Sequence, residues 1–186
     1  MLKKFLAIVF VLCLALVFSA CQKNENQINN IDLKINLPNV MKISSPAFEN
    51  NADIPAKYTC DADDINPELK IAEVPENAAS LALIVDDPDA PAGDWVHCLV
   101  WNIPVEAAQI SENSVPVGAV LGKTDFGKQA WGGPCPGSGK HHYQFKLYAL
   151  DTNLDLPAVS SKPELLKAID GHILDQASLV GLYERQ

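Results

Sequence analysis

Carboxylates and imidazoles lie at the ends of apolar runs in this sequence, where they could do chemistry. The run "LALIVDDPDAP" ends in three acids, Asp86, Asp87 and Asp89, and His97 lies near the start of the next run, "WVHCLVWNIP". A carboxylate accepts hydrogen bonds, and an imidazole donates or accepts them near neutral pH. Together these groups could bind an anion, transfer a proton or hold a metal ion.

A third run, "HHYQFKLYAL", begins with His141 and His142. Side chains of a strand point alternately to its two faces, so His141 and Tyr143 should share one face and His142 should point away. The same alternation predicts a shared face for Trp95, His97, Leu99, Trp101 and Ile103. The loop "WGGPCPGSG" precedes the third run, and its glycines permit close backbone approach to a ligand.

Each of these residues also has a purely structural interpretation. A strand histidine can be a hydrogen-bonded core residue, and aspartates beside prolines often form turns. His172 is interpreted as a helix residue. A metal site or an acid–base pair built from Asp87, His97 and His141 is the enzymatic alternative. Because no serine or cysteine shows a nucleophile motif with a matched base, we expect no enzyme, no metal and no cofactor.

Short apolar runs separated by turn residues predict the elements that position these groups. The runs cover 41–44, 69–74, 80–86, 96–103 and 143–150, which favours an antiparallel sandwich or barrel. Segment 105–140 should be loops with one short strand. Ser161 and Glu164 form a capping box with Pro163 in the first turn, so a helix should begin there. "HILDQA" is predicted as a further turn or short helix, and "SLVGLYER" as the final strand.

The first 20 residues are predicted to be a lipoprotein signal peptide. The basic "MLKK" precedes 16 apolar residues, and small residues directly precede Cys21, as in a bacterial lipobox. We therefore expect lipidation of Cys21, a tether over 21–40 and a folded domain over 41–186. Such a protein would be exported and lipid-anchored, on the outer membrane facing the periplasm in a double-membraned bacterium, or otherwise periplasmic or at the cell surface. An ordinary signal peptide or an uncleaved anchor is the alternative.

Charge excludes some partners. The chain has 14 basic and 23 acidic residues, and loss of Lys3 and Lys4 with the leader leaves 12 basic residues and a net charge of −11. Such an acidic surface disfavours nucleic acid and anionic membrane surfaces. Attachment to a membrane would therefore come from the N-terminal lipid.

Three cysteines remain after export and lipidation, which suggests one disulfide and one thiol. Cys98 lies within a predicted buried strand, where a thiol acts as a small apolar group. Cys60 and Cys135 lie in loop contexts, so we favour a Cys60–Cys135 disulfide. Other pairings stay open, because the sequence does not give the geometry that a disulfide needs.

The ordered motifs resemble the phosphatidylethanolamine-binding protein family, also called Raf kinase inhibitor proteins, and especially its bacterial Raf-kinase-inhibitor-like branch. The resemblance rests on "IPAKYTCDADDINPEL", "LIVDDPDAP", "WVH", "GGPCP", "FKLYALD" and "GHIL…LVGLYER", and it spans about Lys42 to Arg185. It implies a mainly β fold, an antiparallel Greek-key β-sandwich with one or two short peripheral helices. It also implies a small pocket for phosphate-like anions.

The resemblance carries particular residues onto this pocket. They are Asp87, Pro91, His97, Gly133, Pro134, His141 and Tyr143. Donors would be the imidazoles, the Tyr143 hydroxyl and backbone N–H groups near Gly133, and Asp87 would orient an imidazole. His142 departs from the family, which has an arginine there, so the ion pair of that arginine is in doubt. Gly137 stands where the branch usually has a proline.

The implied function is non-catalytic binding of a small phosphate-like anion or a phospholipid headgroup. A protein partner and a homodimer are further implications. The alternatives are a hydrolase or metal-dependent enzyme that uses Asp87, His97 and His141, and an interaction protein or enzyme inhibitor with a vestigial pocket.

Overall fold

The computed structural model describes residues 40–185. The predicted signal peptide, the lipidation of Cys21 and nearly all of the tether fall outside the described residues. Within the described range, no helix has both the length and the apolar character needed to cross a bilayer.

Two sheets form the body of the described chain. The strands are β1 Lys42–Ser44, β2 Ala52–Asp53, β3 Leu69–Ala72, β4 Ser80–Asp87, β5 Trp95–Ile103, β6 Gln109–Ile110, β7 Val120–Leu121, β8 His141–Leu150 and β9 Ile173–Tyr183. The small sheet has the order β1-β3-β6, and the large sheet has the order β2-β9-β8-β4-β5-β7. All pairs are antiparallel except β2 with β9, which is parallel. The predicted mainly β sandwich is thereby confirmed.

The main core lies between the two sheets. Ile71 of the small sheet packs in one apolar cluster with Leu83 and Val85 of β4 and Phe145 of β8, and all are buried. The side chains of β4 and of β8 alternate between the two faces of the large sheet, so every second residue of each strand points into the cluster. Each fully buried side chain of this size stabilises the fold by about 1.5–3 kcal/mol, so the cluster holds the central strands firmly in place.

Among residues 40–185, a single α-helix, α1 (Lys162–Ile169), covers the other face of the large sheet. Leu165 and Ile169 pack on this face against a second apolar cluster that contains Ile84 and Trp101. The helix begins with the predicted capping box of Ser161 and Glu164. A short 3₁₀ turn at Ala56–Tyr58 completes the helical structure of the described residues.

Strand β5 contains two bulges that break its predicted alternation. Val85 lies opposite Cys98 and Asp86 lies opposite Val96, so His97 is an extra residue with no partner on β4. A second register shift occurs near Asn102, which has a positive φ of 54°. The extra residue at His97 turns Leu99 and Trp101 to the helix side of the sheet. The prediction that they share the face of His97 is therefore wrong.

The segment "HILDQA" is also predicted wrongly, because β9 already begins at Ile173. The ten-residue β8 exposes backbone groups along its whole length, and residues from Ile173 onward pair with it. Gly171, with a φ of +80°, separates α1 from this strand. Segment 105–140 contains two short strands, β6 and β7, rather than one.

The cysteines adopt the predicted arrangement. Cys60 and Cys135 form a disulfide with a Cα–Cα distance of 5.4 Å, and both residues are exposed. Cys98 is the free cysteine of the described residues and is buried in the main core. Burial raises the pKa of the Cys98 thiol to about 12, so this thiol stays protonated.

Candidate functional site

Four of the predicted site residues line one cavity of about 360 Å³ at the end of the large sheet. Asp87, Pro91, His97 and His141 converge there from β4, the loop after it, β5 and β8. The remaining lining residues are Ala90, Ala92, Trp95, Phe126, Cys135, Pro136 and Gly137. The walls are therefore mainly apolar, with three polar side chains at one end.

Asp87 and His141 form a buried pair within this cavity. The Nδ1 atom of His141 lies 2.7 Å from Oδ2 of Asp87, because the last residue of β4 lies near the first residue of β8. A carboxylate only accepts, so Nδ1 carries the proton and donates it, which fixes the ring orientation. The other carboxylate oxygen of Asp87 accepts the backbone N–H of Asp89 at 2.9 Å. Asp87 thus has the predicted orienting geometry.

His97 enters the cavity from its bulge on β5. Its Nδ1 atom lies 2.6 Å from the carbonyl oxygen of Gly132, which can only accept, so this nitrogen also donates. The Gly132 N–H in turn donates to the His97 carbonyl at 3.0 Å. Burial lowers the pKa of His97, although the Gly132 bond and the charge of Asp87 oppose this. His97 is consequently held as a neutral, oriented imidazole.

Tyr143 lies behind these two histidines. It is only 1% exposed, and its ring meets the His97 ring edge to face at 5.1 Å between centroids. Its hydroxyl is fully buried and finds no hydrogen-bond partner among residues 40–185. Burial, together with the negative charge of Asp87, raises the pKa of Tyr143. The hydroxyl therefore stays protonated and keeps a donor beneath the cavity.

Gly133 and Pro134 lie beside the cavity and are not part of its lining. The Gly133 N–H donates to Oδ1 of Asp64 at 2.6 Å, and the Pro134 carbonyl accepts the Cys60 N–H at 3.1 Å. The N–H of Gly133 is thus already used inside the protein. These bonds fix the loop that carries Cys135 and Pro136. A direct contact of Gly133 or Pro134 with a ligand stays a prediction.

His142 replaces the arginine that the sequence resemblance leads one to expect. Its Nδ1 lies 2.7 Å from Oδ2 of Asp89, and its backbone N–H donates to the same oxygen at 2.9 Å. The side-chain bond from His142, then the backbone bond, lower the pKa of Asp89. The histidine therefore still contacts an acid of the "DPD" motif. Both side chains are exposed, so this contact adds little stability.

Sequence reasoning missed part of the cavity wall. Trp95 and Phe126 meet edge to face at 5.6 Å and form an aromatic rim, and Phe126 also contacts the His97 ring. Trp95 shares the face of His97 as the alternation predicts, but it is not among the residues that the resemblance places in the pocket. Phe126 lies in the irregular segment before the glycine loop, and no periodic pattern marks it. The disulfide places Cys135 on the wall, which the cysteine count alone does not indicate.

The polar groups do not form a cluster suited to a metal. Among residues 40–185, no group of three His, Cys, Asp or Glu side chains lies close enough to hold a metal ion. Asp87 uses one oxygen for His141 and the other for the Asp89 N–H, and His97 uses Nδ1 for Gly132. Each imidazole leaves Nε2 without a hydrogen bond in the described part of the chain. The arrangement can accept hydrogen bonds at neutral pH and can donate them when the rings are protonated.

Comparison with known proteins gives consistent matches over the domain. A family model described as phosphatidylethanolamine-binding protein matches residues 44–184. UPF0098 protein PH1269 of Pyrococcus horikoshii is 49% identical over 155 residues, which cover 78% of this chain and 77% of the relative. A UPF0098 protein of Methanothermobacter thermautotrophicus is 47% identical over 150 residues, which cover 78% of this chain and 99% of the relative.

Two solved structures are similar to the whole described domain. The first, described as a phosphatidylethanolamine-binding protein homolog, CT736 of Chlamydia trachomatis, matches with a TM-score of 0.77 and 39% identity. That match covers 80% of this chain and 99% of the other. YbcL of Escherichia coli, described as a member of the mammalian family of that name, matches with a TM-score of 0.74 and 30% identity, covering 78% of this chain and 99% of the other.

Proposed function

This chain belongs to the phosphatidylethanolamine-binding protein family, and on that premise we propose that it binds a small phosphate-like anion without catalysing a reaction. The observation that carries the proposal is the convergence of His97 and the His141–Asp87 pair at one end of a cavity with apolar walls. Two oriented imidazoles can hydrogen-bond an anionic headgroup through Nε2, as donors when the rings are protonated and as acceptors from a protonated headgroup. The wall of Pro91, Trp95 and Phe126 suits the organic part of such a ligand.

The polar residues of the cavity favour binding over catalysis. A nucleophilic mechanism needs a hydroxyl or thiol beside a base. The one cysteine on the wall, Cys135, is in a disulfide, and the free Cys98 thiol lies in the core with its pKa raised to about 12. The Tyr143 hydroxyl is buried with a raised pKa, so it is a poor nucleophile. We therefore assign these groups to ligand binding.

We also propose that the protein works at a membrane surface, where lipidated Cys21 would hold it. The order of basic residues, apolar run, small residues and Cys21 supports this. A phospholipid headgroup and a soluble phosphate compound are then both available ligands. Incorporation of labelled fatty acid into the full-length protein, and its loss in Cys21→Ser, is the expected result. Equal labelling of both proteins would contradict lipidation at Cys21. A protein partner and a homodimer stay predictions from the family resemblance.

Calorimetric titration of the full-length protein tests the binding proposal. Phosphate and phosphoethanolamine are added at pH 5.5 and pH 7.5, on either side of the ordinary histidine pKa. We expect saturable heat with both ligands. His97→Ala should weaken binding at least about tenfold, because it removes one of the two ring nitrogens that face the ligand. The matched control is His172→Ala, since His172 is exposed and pairs with Asp151 far from the cavity.

The outcome that would refute the proposal is equally direct. No saturable heat at either pH, from protein whose circular dichroism shows a folded β structure, would reject anion binding in this cavity. Equal weakening by His97→Ala and His172→Ala would place the binding elsewhere on the surface.

A further inference from the structure

The candidate anion cavity lacks a fixed positive charge. Of the described residues that line it, none is a lysine or an arginine. Instead it contains the carboxylate of Asp87, which is only 3% exposed. A buried carboxylate repels a fully ionised anion, and no permanent cation on the wall offsets this repulsion. Any anion that binds here needs another source of attraction.

The tautomers of the two histidines further reduce the attraction of the cavity for an anion. His97 donates its Nδ1 proton to Gly132, and His141 donates its Nδ1 proton to Asp87. A neutral imidazole has one N–H, so the Nε2 atom of each ring is then an acceptor. In the neutral state, the cavity presents two acceptor nitrogens and a carboxylate. The donor hydroxyl of Tyr143 lies behind them, fully buried.

We propose that this cavity selects oxyanions that carry a proton of their own, such as inorganic phosphate and the monoanions of phosphomonoesters, over fully ionised ones of the same shape, such as sulfate, and that Asp87 sets this selectivity. The inference rests on the proposed function and names the ligand class more narrowly. A lipid monoester and a soluble monoester are equivalent in this argument, since both have a P–OH below their second pKa of about 6. A phosphodiester headgroup has no P–OH and falls outside the selected class.

The proton of the ligand matches the acceptors of the cavity. A P–OH group donates to Nε2 of His97 or His141, or it transfers its proton to that nitrogen and accepts the bond in return. Both arrangements contain the same number of protons, so neither requires a proton from solvent. Sulfate carries no proton at neutral pH and leaves the Nε2 acceptors without a donor. Leaving these acceptors unpaired when a ligand displaces their water is costly, and sites of this kind reject ligands that lack the donor.

Protonation of the histidines from solvent is the only other way to create donors, and the surroundings of His97 oppose it. Burial lowers the pKa of His97. The titratable groups that face the ring are Asp87 from β4 and His141 and Tyr143 from β8, while the segments at Phe126 and Gly132 contribute an aromatic ring and a carbonyl. Sulfate binding should therefore require proton uptake and improve as the pH falls.

The test compares inorganic phosphate with inorganic sulfate by calorimetry on the full-length protein. At pH 7.5 we expect phosphate to bind at least about tenfold more tightly than sulfate, because sulfate leaves acceptors unpaired. At pH 5.5 the ratio of phosphate affinity to sulfate affinity should be smaller. Repeating the titrations in buffers with different ionisation heats should show greater proton uptake with sulfate than with phosphate.

Asp87→Asn tests the role assigned to Asp87 at constant side-chain size. The amide removes the negative charge and can donate to Nδ1 of His141, which moves the ring proton to Nε2 and creates a donor. The phosphate-to-sulfate affinity ratio should then fall at least about threefold, through tighter sulfate binding. Asp151→Asn is the matched control, because Asp151 also lies 2.7 Å from a histidine Nδ1, that of His172, on the exposed surface.

The outcomes separate this inference from the proposed function. Equal affinity for phosphate and sulfate at pH 7.5, with saturable binding of both, would overturn the selectivity and leave anion binding in place. An unchanged ratio in Asp87→Asn would overturn the role of Asp87. If Asp87→Asn fails to fold, the proton uptake of the wild-type protein still decides the question, and equal uptake with the two anions overturns the selectivity. Binding of neither anion would overturn the proposed function together with this inference.

Discussion

The disulfide between Cys60 and Cys135 should stabilise the protein strongly while contributing little to the shape of the candidate cavity. It joins residues that are 75 positions apart in the sequence. Closing a loop of that length removes conformational entropy from the unfolded chain worth about 4 kcal/mol at 25 °C. The double variant Cys60→Ala/Cys135→Ala should therefore lose about 4 kcal/mol in its free energy of unfolding.

The native loop should keep its place without the disulfide, because noncovalent bonds hold the residues that directly precede Cys135. The Cys60 N–H donates to the Pro134 carbonyl at 3.1 Å, and the Gly133 N–H donates to Asp64 at 2.6 Å. The indole N–H of Trp131 donates to the Tyr58 carbonyl at 3.3 Å. A bond of this kind contributes about 1 kcal/mol, so three of them retain the loop in the folded state. Phosphate affinity should change by less than about threefold.

Guanidinium unfolding followed by fluorescence gives the stability, and calorimetry gives the phosphate affinity of the same samples. Wild-type protein unfolded in the presence of a reductant should show the same loss of stability as the double variant. Cys98→Ala is the control for loss of sulfur alone, since Cys98 is not in a disulfide. A stability loss below about 1 kcal/mol would refute the entropy argument. More than a tenfold loss of affinity would refute the claim that hydrogen bonds alone fix the loop.

Three further expectations concern single residues. Gly133→Ala should lower the free energy of unfolding by about 2 kcal/mol, because the new Cβ would lie 2.5 Å from the Tyr58 carbonyl oxygen. Chemical denaturation measures this loss. At Gly137 nothing lies within 4 Å of an added Cβ, so a loss no larger than that of Gly137→Ala would contradict the prediction. Asp86→Asn should lower the free energy of unfolding by about 3 kcal/mol in the same assay, because the fully buried carboxylate pairs with two lysines. Asp53→Asn removes an exposed ion pair and should lower it by under about 0.5 kcal/mol. Similar losses in the two variants would refute the distinction. Because burial lowers the native pKa of His97, the unfolded chain binds a proton at higher pH, and stability should fall as the pH drops below about 6.5, by at most about 1.4 kcal/mol per pH unit. In unfolding experiments between pH 7 and pH 5, the stability of His97→Gln should fall less steeply with decreasing pH than that of the wild-type protein. An identical pH dependence of stability in the two proteins would count against the prediction.

Sequence reasoning succeeds where one local pattern decides the structure. The apolar runs at 80–86 and 143–150 identify β4 and β8, because each strand buries a complete face against the small sheet. The capping box at Ser161 and Glu164 identifies the start of α1. The same alternation places His141 with Tyr143 and turns His142 away, as the structure has it. Each of these predictions depends on neighbours only a few residues away.

The predictions fail where distant parts of the chain decide. The bulge at His97 depends on the register with β4, and no local signal announces an extra residue. Ile173–Ala177 become strand because β8 offers unpaired backbone groups, although their own sequence resembles a turn. Phe126 reaches the cavity through an irregular loop, and such loops carry no periodic pattern. Prediction of the cavity lining therefore requires tertiary contacts that local sequence patterns do not reveal.

Because of the bulge, the side chain at position 97 can line the cavity without also pairing across the sheet. His97 has no residue opposite it on β4, so the pairing of β4 with β5 does not select for any particular side chain there. The paired neighbours Val96 and Cys98 contribute to the two apolar clusters instead. The side chain that lines the cavity at position 97 can thus be exchanged while the sheet keeps its register.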